Sequence, residues 1–323
     1  MKRAALGIIS FAICAAALLS PESARAAASE GIRYVALGDS IAAGYALPGY
    51  TGSGSTPDSG FVSILARSLG DDAHLIDLTE SGLDTGELLS LLQTEKCRSA
   101  LFNSGLITVT VGSNNLLGPC VQLLLKSVGL SEGSSETVIS LLRDDPSLIV
   151  SFTRAMMGVE ARMAMKKGAD RFKSDWPLIA AALREIAPHA VVLVTSLYNP
   201  YRDFTISAMG MTIRAGDLLG PYLEEMNDFL QSCEYGSDYY TVIDITGAQI
   251  AATMSGPAGV DVNPHPSVEG HRQIAEALLA ALDIMRPHVN PAFPPRRKAG
   301  MAPRPGLGIS PCPAHRVGAA LLL

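Results

Sequence analysis

The sequence lacks several patterns that define common classes of protein. After residue 28 it has no apolar run long enough to cross a bilayer, so we expect no stable membrane insertion once the amino terminus is removed. Its five cysteines and six histidines do not occur in the paired spacing of a zinc site. Neither a P-loop nor a strand-linked G-x-G-x-x-G occurs, which argues against nucleotide binding. We therefore expect a function that needs no metal or other cofactor.

Acidic residues are absent from residue 284 onward, where six Lys or Arg residues and eight prolines lie. Segment 286–323 is predicted to be a disordered, basic tail, because this composition cannot build a core. The whole chain still has a formal net charge of −6, so the body before the tail is strongly acidic. An acidic body predicts no binding to nucleic acid. The basic stretch Arg296–Lys298 is interpreted as a solvated linker, with contact to an anionic envelope surface as the alternative.

The amino terminus resembles a secretory signal. Lys2 and Arg3 precede an apolar run, Ala4–Leu19, and small residues follow at Ser23–Ala26. This order predicts that segment 1–28 is a signal peptide and that the mature protein is secreted or periplasmic. An uncleaved membrane anchor is the alternative, but the run is short for a bilayer span.

Five short segments rich in Val, Ile and Leu predict buried strands: Tyr34–Leu37, His74–Leu78, Leu106–Val111, Ala190–Ser196 and Tyr240–Ile245. They do not alternate strictly, as is typical of parallel strands covered on both faces. Helical patterns separate them. The alternation predicts one α/β domain over residues 29–285, with a doubly wound parallel five-stranded sheet between two layers of helices. The ligand site of such a sheet lies beyond the carboxyl ends of its strands.

The interval 116–172 is long for a single crossover between strands. It contains helical patterns interrupted by Asp144–Pro146, and we interpret it as a helical insertion near the site. Plain packing is the expected role of this insertion, and a lid over the site is the alternative.

Residues suited to ester hydrolysis follow the predicted strand ends. Ser40 follows the first strand, Gly82 the second and Asn114 the third, while His265 lies near the end of the domain. A serine hydrolase needs an exposed hydroxyl, an imidazole base, a group that orients the base, and oxyanion donors. We predict Ser40 as nucleophile and His265 as base. The predicted oxyanion donors are the N–H groups of Ser40 and Gly82 and the side-chain amide of Asn114.

Together these segments resemble a known family. Gly38–Ser40, Gly82, Gly112–Asn115 and Asn263–Pro266 are similar to the sequence blocks of the GDSL esterase/lipase family, also called SGNH hydrolases. The resemblance extends over Ile32–Leu282. It implies a flavodoxin-like sheet, hydrolysis through an acyl-serine intermediate, and the roles just predicted for the serine, glycine, asparagine and histidine.

Two positions depart from the family pattern. Asn115 stands where the third block usually ends in Asp, and we expect a structural role there. The Asp that commonly lies three residues before the histidine is replaced by Val262, with Asp261 and Asn263 on either side. We assign Asp261 the task of orienting the imidazole of His265, and a backbone carbonyl is the alternative.

Other residues compete for the catalytic roles. Gly129–Gly133 matches the G-x-S-x-G pattern around Ser131, but no strand is predicted before it, so we interpret it as a loop. His271 is a rival base, but it falls inside the predicted last helix. We expect neither residue to be catalytic.

Export permits disulfides, and four cysteines follow the signal segment. Cys97 and Cys120 flank one predicted strand, which makes a bridge between them easy to envisage. Cys233 and Cys312 form the other candidate pair. The sequence leaves the connectivity open.

The sequence therefore predicts an exported, monomeric hydrolase of carboxylic esters. The loop 198–217 is expected to line the pocket, with Tyr198, Asn199 and Tyr201 as substrate contacts. The substrate is a small-molecule, lipid or glycan ester. Removal of acetate from a glycan and hydrolysis of a lysophospholipid are alternatives within the same fold. A non-catalytic protein that binds polysaccharide or lipid is an alternative of another class.

Overall fold

The computed structural model describes residues 31–285, apart from 209–210, 251–252, 257–258 and 262. The predictions for segments 1–28 and 286–323, for Val262 and for Cys312 lie outside the described residues.

The described strands, numbered along the chain, are β1 Arg33–Gly38, β2 His74–Thr79, β3 Leu106–Thr110, β4 Val191–Thr195, β5 Thr205–Ala208, β6 Met211–Arg214, β7 Thr241–Ile243, β8 Thr253–Gly256 and β9 Gly259–Asp261. The described helices are α1 Ser40–Ala43, α2 Phe61–Leu69, α3 Thr85–Leu92, α4 Glu95–Leu101, α5 Ser113–Ser127, α6 Ser135–Asp144, α7 Leu148–Met157, α8 Val159–Ile186, α9 Gly216–Ser237 and α10 Val268–Met285.

A parallel sheet with the order β2-β1-β3-β4-β7 forms the centre of the domain. All five of these strands were predicted, with ends within two residues of those observed. The chain leaves β1 toward β2 on one side and returns to β3 on the other. The direction of winding therefore reverses between β1 and β3, where their carboxyl ends open a crevice suited to a ligand.

The strands are apolar on both faces because helices cover both. Val35 and Leu37 of β1 point into one core cluster, together with residues of α3, α4, α5, α8 and α9. Tyr34 and Ala36 alternate with them and join a second cluster with α2 and α10. Trp176 and Phe172 of α8 are among the largest fully buried side chains. These two clusters confirm the predicted three-layer α/β/α fold.

As far as their side chains are described, helices α6 and α7 contribute no buried residue to the two main clusters, although Met156 of α7 packs against the first as a partly buried side chain. Leu125 of α5, Val138 and Leu142 of α6, and Phe152 of α7 form a small third cluster with only partly buried neighbours. α8 then runs without interruption through residue 172, the predicted end of the insertion. The antiparallel pairs β5–β6 and β8–β9 were not predicted. In the described part of the chain, no helix combines the length and apolar character that a membrane span requires.

The candidate bridge between Cys97 and Cys120, one of the pairings that the sequence left open, is not formed. Both thiols are free, as is that of Cys233. Cys97 lies on α4 and Cys120 on α5, and both fill the larger apolar core as buried side chains. Burial raises the pKa of the Cys97 thiol to about 11 and that of Cys120 to about 12, so both remain neutral.

Candidate active site

A tight turn after β1 presents Ser40 at the carboxyl edge of the sheet. A Cβ atom on Gly38 would lie 2.7 Å from the carbonyl oxygen of Thr110 in the neighbouring strand, so no larger residue fits. The N–H of Asp39 donates to that same oxygen at 2.9 Å. Asp39 Oδ1 accepts a hydrogen bond from the N–H of Ile41 at 3.0 Å and caps α1, which begins at Ser40. The Gly-Asp-Ser sequence therefore builds the turn that holds the hydroxyl.

His265 lies against this hydroxyl from the far end of the domain. Its Nε2 is 2.9 Å from Ser40 Oγ, although 225 positions separate the two residues. The segment 263–267 carries the histidine into α10, and the N–H of Ser267 donates to the carbonyl of Gln249 at 2.9 Å. Only 5% of His265 is exposed. The predicted nucleophile and base are thus within hydrogen-bonding distance in a largely buried setting.

Asn263 contacts the other nitrogen of the imidazole. Its Oδ1 lies 2.6 Å from His265 Nδ1 and also accepts the backbone N–H of His265 at 3.2 Å. An acceptor at Nδ1 favours the tautomer in which Nε2 can accept the serine proton. The sequence alone does not predict this role for Asn263, which stands next to the position of the missing Asp. The available signal was the tendency of asparagine to accept from the backbone N–H two residues further along.

Asp261, the predicted orienting residue, ends β9. Its side chain lies outside the described part of the structure, so its role stays a prediction.

Two tyrosines support the histidine and its loop. The hydroxyl of Tyr198, which follows β4, donates to the carbonyl of Pro264 at 2.6 Å. The ring of Tyr45 lies 4.6 Å from the imidazole, centroid to centroid, and is tilted by 44°. Tyr198 also lines the cavity in front of the serine, which is where the sequence analysis expected it. Tyr45 was not predicted as a site residue.

The predicted oxyanion donors meet in one cavity with the nucleophile and base. Ser40, Gly82, Asn114 and His265 all line a cavity of about 580 Å³. Gly82 has a φ of 92°, a conformation that a residue with a side chain rarely adopts. The Asn114 amide nitrogen donates to the carbonyl of Leu83 at 3.0 Å, and it carries a second hydrogen.

A hydrogen-bond network ties the loop that contains Gly82 to the residues that follow β3. Asn115 donates from Nδ2 to Thr85 Oγ1 at 2.7 Å, and its Oδ1 accepts from the Thr85 N–H at 3.2 Å. The Thr85 hydroxyl in turn donates to Asp175 at 2.7 Å. Asn115 is buried, which agrees with the structural role expected for it. Because Asn115 follows Asn114 directly, this network helps to hold two predicted oxyanion donors in place.

Comparison with known protein families identifies the family to which this chain belongs. The profile of the GDSL-like lipase/acylhydrolase family matches residues 36–273, which include every predicted site residue. The chain belongs to this family. Among curated proteins none matches it significantly in sequence.

Solved structures share the fold of this GDSL-family chain at low sequence identity. A lipase from a goat rumen metagenome is 20% identical, with 77% of this chain and 97% of that chain covered and a TM-score of 0.50. An extracellular lipase from Streptomyces rimosus is 18% identical, with coverages of 78% and 100% and a TM-score of 0.54. Phospholipase A1 from Streptomyces albidoflavus is 16% identical, with coverages of 76% and 98% and a TM-score of 0.52.

The Asp of the G-D-S block in this GDSL-family chain is buried. Burial raises the pKa of Asp39 to about 7, and hydrogen bonds from backbone N–H groups, which favour the charged form, offset this rise only in part. Within the described residues its second oxygen, Oδ2, has no hydrogen-bond partner. Burial, followed by the charge of Asp39, also raises the pKa of Tyr198 well above its usual value. The turn under the nucleophile therefore excludes water from ionisable groups.

The remaining predicted contacts and the rival nucleophile lie away from Ser40. The Asn199 side chain forms hydrogen bonds with the backbone of its own loop and of α9. It donates to the carbonyl of Gly216 at 2.8 Å and accepts from the N–H of Tyr201 at 3.1 Å. Tyr201 lines a second, apolar cavity. Ser131 is exposed in the loop between α5 and α6. A helix precedes it, and not the strand that a G-x-S-x-G nucleophile requires.

The rival base, His271, is fully buried on α10. Its ring stacks on that of Phe61, with 6.0 Å between centroids, and Nδ1 accepts the Phe61 N–H at 3.3 Å. Burial lowers its pKa to about 4. Among the described residues there is also no group of three or more His, Cys, Asp or Glu side chains that would hold a metal ion.

Proposed function

We propose that the protein hydrolyses carboxylic esters through an acyl-enzyme formed on Ser40. The observation that carries the proposal is the distance of 2.9 Å between Ser40 Oγ and His265 Nε2. Ser40 attacks the acyl carbon while His265 accepts its proton, and the imidazolium then returns that proton to the departing alcohol. Water, activated by the same imidazole, next attacks the acyl-serine, and the carboxylic acid leaves.

The charge that develops on the carbonyl oxygen needs donors fixed before the reaction. We assign this role to the N–H groups of Ser40 and Gly82 and to the second amide hydrogen of Asn114. All three residues line the same cavity as His265. Losing one such donor typically costs about 3 kcal/mol of transition-state stabilisation.

Asn263 is assigned the task of orienting the base. An amide oxygen at 2.6 Å from Nδ1 holds the ring toward Ser40 but brings no negative charge to stabilise the imidazolium. Asp261, two residues earlier, is the candidate that would add such a charge.

Family membership supports the ester-hydrolase class, while the finer substrate is part of the proposal. The solved structures that share the fold include lipases and a phospholipase A1. Glycan deacetylation and lysophospholipid hydrolysis are the alternatives, and binding of lipid or polysaccharide without catalysis is the alternative outside enzymes. The proposal includes export through segment 1–28 and action as a monomer.

Labelling with a fluorophosphonate tests the proposed nucleophile. We expect the probe to modify the wild-type protein at Ser40, as mapped by peptide mass spectrometry. The variant Ser131→Ala should label as the wild type does, and His265→Ala should label much more slowly because the base is gone. Modification at Ser131, or no labelling of a folded wild-type protein, would refute the proposal.

A further inference from the structure

A second cavity of about 150 Å³ lies beside the first. Helices α5, α6, α7 and α9 and the segment around β5 surround it. Its lining is almost wholly hydrocarbon, as the following residues illustrate: Leu124, Val138, Leu142, Phe152, Phe204 and Leu218.

The two cavities adjoin each other along α5. Leu117, Val121, Leu219 and Pro264 line both of them. Leu117 and Val121 follow Asn114 at helical spacings of three and seven residues, so they lie on the same side of α5 as that predicted oxyanion donor. The apolar cavity therefore adjoins the cavity that the predicted oxyanion donors line.

The few polar groups in this cavity do not favour a polar ligand. The hydroxyl of Thr153 donates to the carbonyl of Ile149 at 2.7 Å, within its own helix. The Cys120 thiol is free and is kept neutral by burial. Water gains little in a cavity without polar partners, whereas an alkyl chain gains from leaving water.

We propose that this second cavity binds the acyl chain of the ester, so that the preferred substrates are esters of medium-chain or long-chain fatty acids. This inference rests on the function proposed above. The acyl side is favoured over the alcohol side because the departing alcohol must lie toward His265 to receive its proton. The acyl chain then extends along α5, away from the oxyanion donors and into the cavity.

A chain-length series tests the proposal on the wild-type protein. We expect kcat/KM for p-nitrophenyl esters, kept below their micellar concentrations, to rise by about threefold to fourfold for each methylene that enters the cavity. Ethyl decanoate should also be cleaved faster than decyl acetate, which has the same chain on the alcohol side. A flat series, or faster cleavage of decyl acetate, would overturn the assignment.

A variant that fills the cavity gives an independent test. Ala215, at the start of α9, is partly exposed and lines the cavity, so Ala215→Phe places a ring inside it. We expect the ratio of decanoate to acetate kcat/KM to fall at least tenfold. The matched control is Ala280→Phe on the exposed face of α10, which should leave the ratio unchanged. If Ala215→Phe does not fold, Leu218→Trp at the same cavity replaces it. An unchanged ratio in the cavity variant would contradict the proposal.

The outcomes separate this inference from the proposed function. If acetate esters are hydrolysed in a reaction that depends on Ser40, but kcat/KM does not increase along the chain-length series, the acyl-cavity proposal fails and the proposed hydrolase function stands. If no ester of the series is hydrolysed, the proposed hydrolase function itself fails.

Discussion

Two regions meet at the candidate active site, and they are built differently. The rim, by which we mean segments 38–40, 82–85, 112–115 and 263–267, lies on a sheet covered by two large apolar clusters. The buried apolar residues of the α6–α7 pair, Ser135–Met157, belong to a cluster with only four buried side chains. The groups for bond cleavage therefore lie on the part of the domain that has the larger apolar core. The region that would select the acyl chain is held less firmly.

The contacts in the two regions differ in kind as well as in number. On the rim, directed hydrogen bonds determine position, as between Asn115 and Thr85 or Asn263 and His265. In the α6–α7 pair, apolar packing of residues such as Val138 and Phe152 predominates. Apolar packing tolerates changes of shape better than a hydrogen-bond network does. The following tests seek to break or sharpen this contrast, beginning with the largest expected effect.

Removing the nucleophile should affect the rim chemistry more than any change elsewhere. We expect Ser40→Ala to lower kcat/KM for p-nitrophenyl acetate by about 10⁵-fold, because no acyl-enzyme can form. The control Ser131→Ala should retain wild-type activity, since that residue lies on an exposed loop. If Ser131→Ala abolished turnover while Ser40→Ala did not, the assignment of the rim would be wrong.

The same substitution in the two regions should have different consequences for folding. Phe172 and Phe152 are both almost fully buried, the first against the sheet and the second in the small cluster. Phe172→Ala should lower the global free energy of unfolding by about 3–5 kcal/mol in urea titrations. Phe152→Ala should mainly accelerate amide exchange in the α6–α7 pair, because this pair can open while the sheet remains folded. Equal global losses would show that the two regions unfold as one unit.

The contact between Asn263 and His265 offers a sharper test within the rim. We expect Asn263→Ala to lower kcat by about tenfold to a hundredfold, since a hydrogen bond to a charged group is worth roughly 1.5–3 kcal/mol. Asn263→Asp should retain activity because it keeps the acceptor. Asp261→Ala, measured in parallel, tests the residue that the sequence predicted. A larger loss in Asp261→Ala than in Asn263→Ala would transfer the orienting role to the aspartate.

The smallest expected effect is the net pH dependence of the wild-type free energy of unfolding, because two buried groups contribute with opposite slopes. Burial raises the pKa of Asp39 from 3.8 to about 7. The stability that this group contributes is therefore complete below pH 3.8 and is lost as pH rises through 7. Burial lowers the pKa of His271 from 6.5 to about 4. The stability that this group contributes is therefore complete above pH 6.5 and is lost as pH falls through 4. In the wild type the two contributions oppose each other between about pH 4 and 6.5.

Single variants should reveal these opposing slopes. Relative to wild type, Asp39→Asn should gain stability as pH rises from 4 to 6.5, by at most about 1.4 kcal/mol per pH unit. His271→Gln should lose stability over the same range by a similar amount. Urea unfolding at several pH values measures both differences. Parallel pH curves for the variants and wild type would mean that neither group titrates with a shifted pKa in the folded protein.

The sequence alone determined the architecture and most of the predicted chemistry. Five apolar segments between helical patterns define the parallel sheet because each such strand must be covered on both faces. Asp39 caps α1 through the N–H of Ile41, a local contact that could be predicted from neighbouring residues, whereas the need for glycine at position 38 comes from Thr110 in the adjacent strand. The likeness of four short segments to one family then linked this turn to the distant histidine.

Only the tertiary structure decided the contacts that depend on packing between distant segments. Asn263 lies beside the imidazole, and Tyr45 and Tyr198 contact the histidine or its loop. The free thiols and the apolar cavity between α5 and the α6–α7 pair are further examples. Sequence periodicity reports which face of a helix is apolar but not which other apolar face it meets. The shape of a cavity and the partner of a side chain therefore emerge only when the whole chain has packed.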